Sequence, residues 1–284
     1  MTERTIAGIR RGNQFSPNHI GNDAAIFSLT TDALRRKGYR VNEYTEADLM
    51  TKDIREDIMF CMVRDWYSIR KLQQLEDDGR LVINSGYGIE NCTREKMTRL
   101  FMAAHIPYPR SIIIRTDQDP SAALEEAGFQ NCWIKRFDFH AIHREDVTYV
   151  RHLEEAKSIL KEYAIRGIST AVINEHLDGD LVKFYGVAGS DFFYWFYPNT
   201  LHSKFGYETI NGTAHEIPFD KAHLHRICNE AATVLNLYIY GGDCIIDKNG
   251  TVRLIDFNDW PSFAPCRNQA APYIADCIHK LING

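Results

Sequence analysis

Hydrophobic and polar positions alternate along the first 90 residues in two periods. Thr5 to Ile9 reads as a short apolar strand, and the loop Arg10 to Asn18 follows it. Asn22 or Asp23 is placed to cap a helix in which Ala25, Ile26, Leu29, Ala33 and Leu34 recur on one face, and Lys37-Gly38 ends it. Strands near Arg40–Tyr44, Asp57–Met62 and Arg80–Asn84 alternate with a helix at Trp66–Leu75, with a polar stretch after Tyr44. Strand, helix and strand in succession predict a parallel sheet with helices packed on it. No Gly-x-Gly-x-x-Gly follows the first strand, so a dinucleotide fingerprint is missing. The loop at Arg10–Asn18 lies where open sheets place ligands, and a plain solvated connector fits it equally well.

The pattern then changes. Thr93–Met102 reads as a helix, Ser111–Arg115 as a strand and Ala122–Ala127 as a short helix capped by Asp119 or Ser121. Asn131–Arg136 and Val147–Val150 form a hairpin around the polar, glycine-free segment Phe137–Asp146, which carries His140, His143 and Arg144. Leu153–Tyr163 is a helix. Thr170–Leu177, Leu181–Val187 and Phe192–Tyr197 are strands, and Lys221–Leu235 is a helix capped by Asp220. The last pair of strands, Cys244–Ile246 and Val252–Ile255, flanks the turn Asp247-Lys248-Asn249-Gly250, because Asn-Gly tolerates positive φ.

That hairpin carries Asp243, Asp256 and Asn258. Asp256 and Asn258 are two apart and share a strand face. With the turn centred on Lys248-Asn249, Asp243 falls opposite residue 254, within diagonal reach of Asp256. Two carboxylates and an amide oxygen at one hairpin end suit Mg²⁺; the alternative is acidic residues that merely punctuate strand ends.

Composition narrows the options. The chain has 284 residues, enough for two domains, with 44% hydrophobic and 25% charged residues and a net charge of −5. That balance gives no electrostatic reason to expect nucleic acid or an anionic membrane as partner. The seven cysteines are scattered without a Cys-x-x-Cys pair, as expected of a reduced, cytoplasmic protein. No apolar run approaches a membrane span, and Met-Thr-Glu-Arg-Thr lacks a signal peptide's apolar region.

The order of elements, and above all Ile255-Asp256-Phe257-Asn258-Asp259-Trp260-Pro261, resembles the ATP-grasp superfamily, whose members end this strand in Asp/Glu-x-Asn followed closely by proline. The resemblance implies a mixed α/β and α+β fold: a Rossmann-like N-terminal domain over residues 1–92 and an ATP-grasp domain over 93–284. The latter divides into a central subdomain at about 109–174 and a C-terminal lobe at about 175–284. It implies ATP and Mg²⁺, with Asp243, Asp256 and Asn258 as metal ligands. Lys96 and Lys135 are implied at the phosphates, Asn174-Glu175-His176-Leu177 at the adenine edge, Asp180 at the ribose, and Lys183 as the catalytic cation facing the transferred phosphoryl group. The glycine-free loop 137–146 departs from the family pattern, and Asn174 replaces a common Gln.

The activity so implied is a carboxylate–amine ligase that forms an amide through an acyl phosphate, acting on small-molecule or peptide carboxylates and amines. A kinase acting on a small-molecule hydroxyl and a non-catalytic ATP sensor are the rivals. Arg10, Ser16, Asn18, Lys204 and Arg267 are the positions expected to face substrate. The oligomeric state stays open, a homodimer included.

Overall fold

In the computed structural model, residues 4–15, 20–138, 146–198 and 210–284 are described. Strands β1 (Thr5–Arg10), β2 (Arg40–Thr45), β3 (Ile58–Cys61) and β4 (Leu81–Ile83) form a parallel sheet in the order β2-β1-β3-β4. Helices α1 (Ile20–Arg36), α2 (Glu46–Thr51), α3 (Trp66–Asp77) and α4 (Gly86–Asn91) connect or follow these strands. The parallel sheet and the start of α3 at Trp66 match the sequence pattern, and α3 runs two residues past the expected Leu75. Asp65 caps α3 by accepting from the Tyr67 and Ser68 amides, while Ile69, Leu72 and Leu75 turn inward.

Three local expectations change. Helix α1 begins at Ile20, so Asp23 lies inside its first turn, buried, and its carboxylate takes Arg11 instead of capping the helix. The polar stretch after β2 is α2, closed by a capping box between Thr45 and Asp48. At six residues it is too short to show a hydrophobic period. Pro120, not Asp119 or Ser121, stands at the cap position of α6 (Ser121–Ala127), although Asp119 accepts from the Ser121 amide at 3.0 Å.

Helix α5 (Arg94–Ala103) leads to a second, antiparallel sheet of β5 (Ser111–Arg115), β6 (Cys132–Arg136), β7 (Val147–Val150) and β8 (Thr170–Glu175), in the order β5-β8-β6-β7. Helix α6 and α7 (Leu153–Ile165) bury Leu124, Ala156, Leu160 and Tyr163 against Ile134, Val150 and Ile173 of that sheet. A third sheet, also antiparallel, contains β9 (Asp180–Val187), β10 (Phe193–Phe196), β11 (Ile239–Ile246) and β12 (Val252–Asp259), in the order β10-β9-β11-β12. One face packs on α5 and α8 (Lys221–Leu235) through Val182, Phe184, Leu254, Phe257, Phe101, Leu224 and Ala231.

The last helix, α9 (Arg267–Asn283), was not evident from the pattern. Its Ala270, Ala271, Ile274 and Ile278 share a core with Ile6, Ile26, Phe27 and Leu34, so the end of the chain returns to the first sheet. Asn84, just after β4, ties the first sheet to the start of β11. Its amide oxygen accepts from the Tyr238 and Ile239 amides at 2.9 Å, and its nitrogen donates to the Ile239 carbonyl at 2.7 Å.

The β11–β12 register also differs from the two-residue-turn expectation. Asp247 N donates to Thr251 O, and Gly250 takes φ of 79°. The loop therefore holds three residues, with glycine at the left-handed position. Ile246 lies opposite Val252 and Cys244 opposite Leu254. A bulge after Asp243 then shifts the ladder, so Asp243 pairs with Asp256 and not with residue 254.

All seven cysteines are buried and unpaired, and burial pushes the thiols of Cys61, Cys92, Cys228 and Cys244 well above the ordinary range. Among the described residues no helix is long and apolar enough to cross a membrane.

Candidate active site

The bulge aligns three charged side chains across the third sheet. Lys183 on β9 lies opposite Asp243 on β11, which lies opposite Asp256 on β12. Residues directly opposite in an antiparallel ladder project to the same face. Lys183 Nζ reaches Asp243 Oδ1 at 3.0 Å and Oδ2 at 3.1 Å. Asn258, two residues along β12, donates to Asp256 Oδ2 at 3.4 Å, while its own Oδ1 is buried without a hydrogen-bond partner. Gly242 lets the strands approach here, since a Cβ on it would stand 2.2 Å from the Asp256 carbonyl oxygen. The opposite face of the sheet is apolar core, so the alternation of the strands separates the charged side from the packed side.

The second sheet contributes Lys135 from β6. Its Nζ donates to the Ile255 carbonyl at 3.2 Å, next to Asp256. Burial lowers its pKa to about 8, the Asp256 carboxylate partly opposes that shift, and the Arg94 guanidinium reinforces it. The ammonium is thus mostly protonated at neutral pH in a poorly solvated place, poised for an anion.

Arg94 is a further cation here, one that no motif in the sequence marks. It is buried in the first turn of α5, and it acts electrostatically on Lys135 and on Tyr108. The Tyr108 hydroxyl is pushed up to about 12, chiefly by burial. A signal was available: Arg94, Met97, Thr98 and Phe101 repeat at helical spacing and form the buried face. Lys96 is off that face. It is half-exposed and pairs with Glu90 at 2.7 Å, so the structure does not bring it to Lys135, Lys183 and the two aspartates.

The linker residues are held by contacts of their own. Asn174 donates to Ser111 Oγ at 2.7 Å, and its Oδ1 is buried without a partner. Glu175 takes the Arg110 amide at 2.9 Å and the Arg110 Nε at 2.8 Å, with Arg253 at 3.5 Å. His176 accepts from Trp133 Nε1 at 3.1 Å, and burial lowers its pKa. The Leu177 carbonyl takes Asn211 at 2.9 Å. Asp180 is buried, and its two oxygens accept from the His215 and Ile217 amides, both at 2.8 Å. Its carboxylate fixes the backbone at residues 215–217.

Arg10 pairs with Glu43 and stands over the Phe27 ring, and Arg267 donates to Asn22 Oδ1 at 2.6 Å. Ser16, Asn18, His140, His143, Arg144 and Lys204 lie outside the described residues.

Among the described residues no three His, Cys, Asp or Glu side chains cluster as a metal site. The donor set at the hairpin is two carboxylates and the orphaned Asn258 Oδ1. Hard oxygen donors of this number fit Mg²⁺, which keeps part of its shell for water and phosphate. Two carboxylates and an amide oxygen thus stand on the hairpin that also receives the cations Lys183 and Lys135, with Arg94 acting on Lys135.

No protein-family model matches the sequence, and no curated protein does. Solved structures match over the full length. D-alanyl-alanine synthetase A from Vibrio cholerae superposes with a TM-score of 0.71 at 10% identity, covering 100% of both chains. D-alanine–D-alanine ligase from Bacillus anthracis, complexed with ATP, gives 0.68 at 15% identity over 98% of this chain and 96% of that one. The ATP-grasp ligase PsnB, complexed with a minimal precursor, gives 0.62 at 16% identity over 98% and 99%. By this full-length likeness the chain has the ATP-grasp fold.

Proposed function

We propose that the protein is a Mg-ATP-dependent carboxylate–amine ligase. The observation that carries this reading is the row Lys183–Asp243–Asp256, extended by Asn258 and faced by Lys135 from the second sheet. The names of the structural neighbours, ligases that include one complexed with ATP, support the same class.

In this reading Asp243, Asp256 and Asn258 would hold Mg²⁺, which supplies Lewis-acid polarisation of phosphoryl oxygens when bound. Lys135 and Arg94 neutralise phosphate charge from the side of the second sheet and α5. Lys183 faces the phosphoryl group in transfer, its position set by Asp243. A carboxylate oxygen of one substrate attacks the γ-phosphorus, the bond to the β-phosphate oxygen breaks, and ADP leaves. The amine nitrogen of the second substrate then attacks the acyl carbon, phosphate departs and the nitrogen loses a proton. Glu175, His176 and Leu177 line the linker at which the adenine edge is placed in this reading; Asn174 shapes it through Ser111.

Hydroxylamine tests the proposal. With Mg²⁺, ATP and a panel of amino acids and dicarboxylates, a ligase forms ADP together with a hydroxamate, whereas a kinase forms ADP without hydroxamate. Absence of ADP across the panel would overturn the ligase reading and leave the sensor.

A further inference from the structure

Eleven buried side-chain nitrogen and oxygen atoms lack a hydrogen-bond partner among the described residues, and seven of them belong to Arg64, Asn258, Asp259, Trp260 and Arg267. Folded proteins satisfy nearly all such groups, so a concentration at one place signals a partner from outside the chain. Asn258 Oδ1 is accounted for by the metal site. The Asp259 carboxylate faces Arg64 as an ion pair at 3.1 Å. Five orphans are left: the donors Arg64 Nε and Nη1, Trp260 Nε1 and Arg267 Nε, and the acceptor Asp259 Oδ2. Four of the five are donors with no acceptor capacity, so the complement is chiefly an acceptor group.

Charge narrows the complement to an anion. Arg11, Arg64 and Arg267 are linked through Asp23, Asn22 and the 259–260 backbone. Arg11 donates to the Trp260 carbonyl at 2.9 Å and to Asp23 at 3.0 Å, and Arg64 donates to the Asp259 carbonyl at 3.2 Å. Three guanidiniums thus meet two carboxylates. The 17-residue helix α9 also begins at Arg267 with no acidic residue in its first turn, a cation where the helix dipole already favours negative charge. Arg64 is nine-tenths buried. Trp260 and Phe263 take φ of 27° and 49°, left-handed conformations that non-glycine residues adopt where surroundings or function hold them. This bend follows directly on Asn258 in the chain.

We propose that Arg64 and Arg267 form a subsite for a second carboxylate of the substrate, so that the acid it activates is at least a dicarboxylate. Planar guanidinium groups favour carboxylate through paired N–H donors. A carboxylate so bound has its lone pairs engaged, which leaves the other carboxylate, nearer Asn258, to attack phosphorus. Arg11 uses its donors on Met62, Asp23 and Trp260 and positions the bend rather than binding the substrate. The assignment rests on the ligase reading.

Calorimetric titration tests it with succinate and glutarate, their monoamides and their neutral diamides, alongside a non-hydrolysable Mg-ATP analogue measured separately. The wild-type protein should bind a diacid, its monoamide more weakly and the diamide not at all. Arg267→Gln should weaken the diacid roughly 10- to 100-fold, the range for one lost charge-assisted contact, with analogue binding unchanged. Arg64→Lys keeps a charge opposite Asp259 but lacks the forked donors, and it should weaken the diacid as well. The subsite is overturned if neither diacid binds, if diamide and diacid bind alike, or if Arg267→Gln makes no difference. Loss of analogue binding with Arg267-dependent diacid binding intact would instead remove the ligase reading and leave the subsite standing.

Discussion

Replacing Lys135 with methionine should make the protein more stable and useless for nucleotide. In the folded chain the Lys135 ammonium titrates at about 8, against 10.5 for an ordinary lysine, because burial disfavours the charged form more than Asp256 favours it. Between those values the unfolded chain holds a proton that the folded chain has released; below about 8 both hold it and the folded state carries the whole penalty. A gap of this size corresponds to about 3 kcal/mol at 1.36 kcal/mol per unit, an upper figure for a side chain that keeps some solvent contact. Methionine fills similar volume and removes that penalty but loses the hydrogen bond to Ile255 O, worth roughly 1–2 kcal/mol. The net expectation is a gain of about 1–2 kcal/mol at pH 7. Urea denaturation at pH 7 and again near pH 10 reads it: the advantage of Lys135→Met should vanish as pH rises through the window from 8 to 10.5, where the wild type gains stability. The variant should also lose the stabilisation that a Mg-ATP analogue gives the wild type. A variant less stable at pH 7, a difference that ignores pH, or intact nucleotide stabilisation would refute the reasoning.

Other outcomes follow from the same geometry. Arg94→Gln should raise the Kd for the ATP analogue at least about tenfold, whereas Lys96→Gln should leave it within about threefold, since an exposed ion pair such as Lys96–Glu90 contributes little; titration of both variants decides, and the reverse ranking restores Lys96 to the site. Asp256→Asn should keep the thermal unfolding transition and lose at least about 100-fold in Mg²⁺-dependent ADP formation, and retained turnover would remove Asp256 from the metal site. Asp180→Ala should lower stability by roughly 2–4 kcal/mol in urea, because two buried amides lose a charged acceptor; a variant with native stability and weakened nucleotide binding would place Asp180 at the ribose. Gly242→Ala should disrupt the site, as its Cβ has no room beside the Asp256 carbonyl, and a crystal structure with an unshifted Asp243–Asp256 pair would contradict this.

Local chemistry along the chain was enough for the parallel first sheet, most strands and helices, the Asp220 and glycine signals, and the candidate set at the hairpin, because period, cap and turn residues act over a few neighbouring positions. The charged row depended on more. Its alignment comes from a bulge after Asp243 and a three-residue loop, and no residue type announces a one-residue slip in register. Choosing among cations was likewise a tertiary matter. Lys96 and Arg94 are two positions apart on one helix turn; the spacing of Arg94, Met97, Thr98 and Phe101 marks one face, and packing of α5 on the third sheet buries that face while Lys96 turns to Glu90. Asp180 has the chemistry of an acceptor in the sequence, and only the fold shows that the backbone amides of His215 and Ile217 lie on its two oxygens. The arginine cluster at Trp260 draws on residues 11, 64 and 267, with Asn22 and Asp259 as partners, from five separate parts of the sequence. Residue type and local spacing thus set which groups were available for an ATP site. Which of them meet, and which are left buried and unsatisfied for a ligand, was decided when distant segments packed, since burial and long-range pairing are properties of the assembled chain.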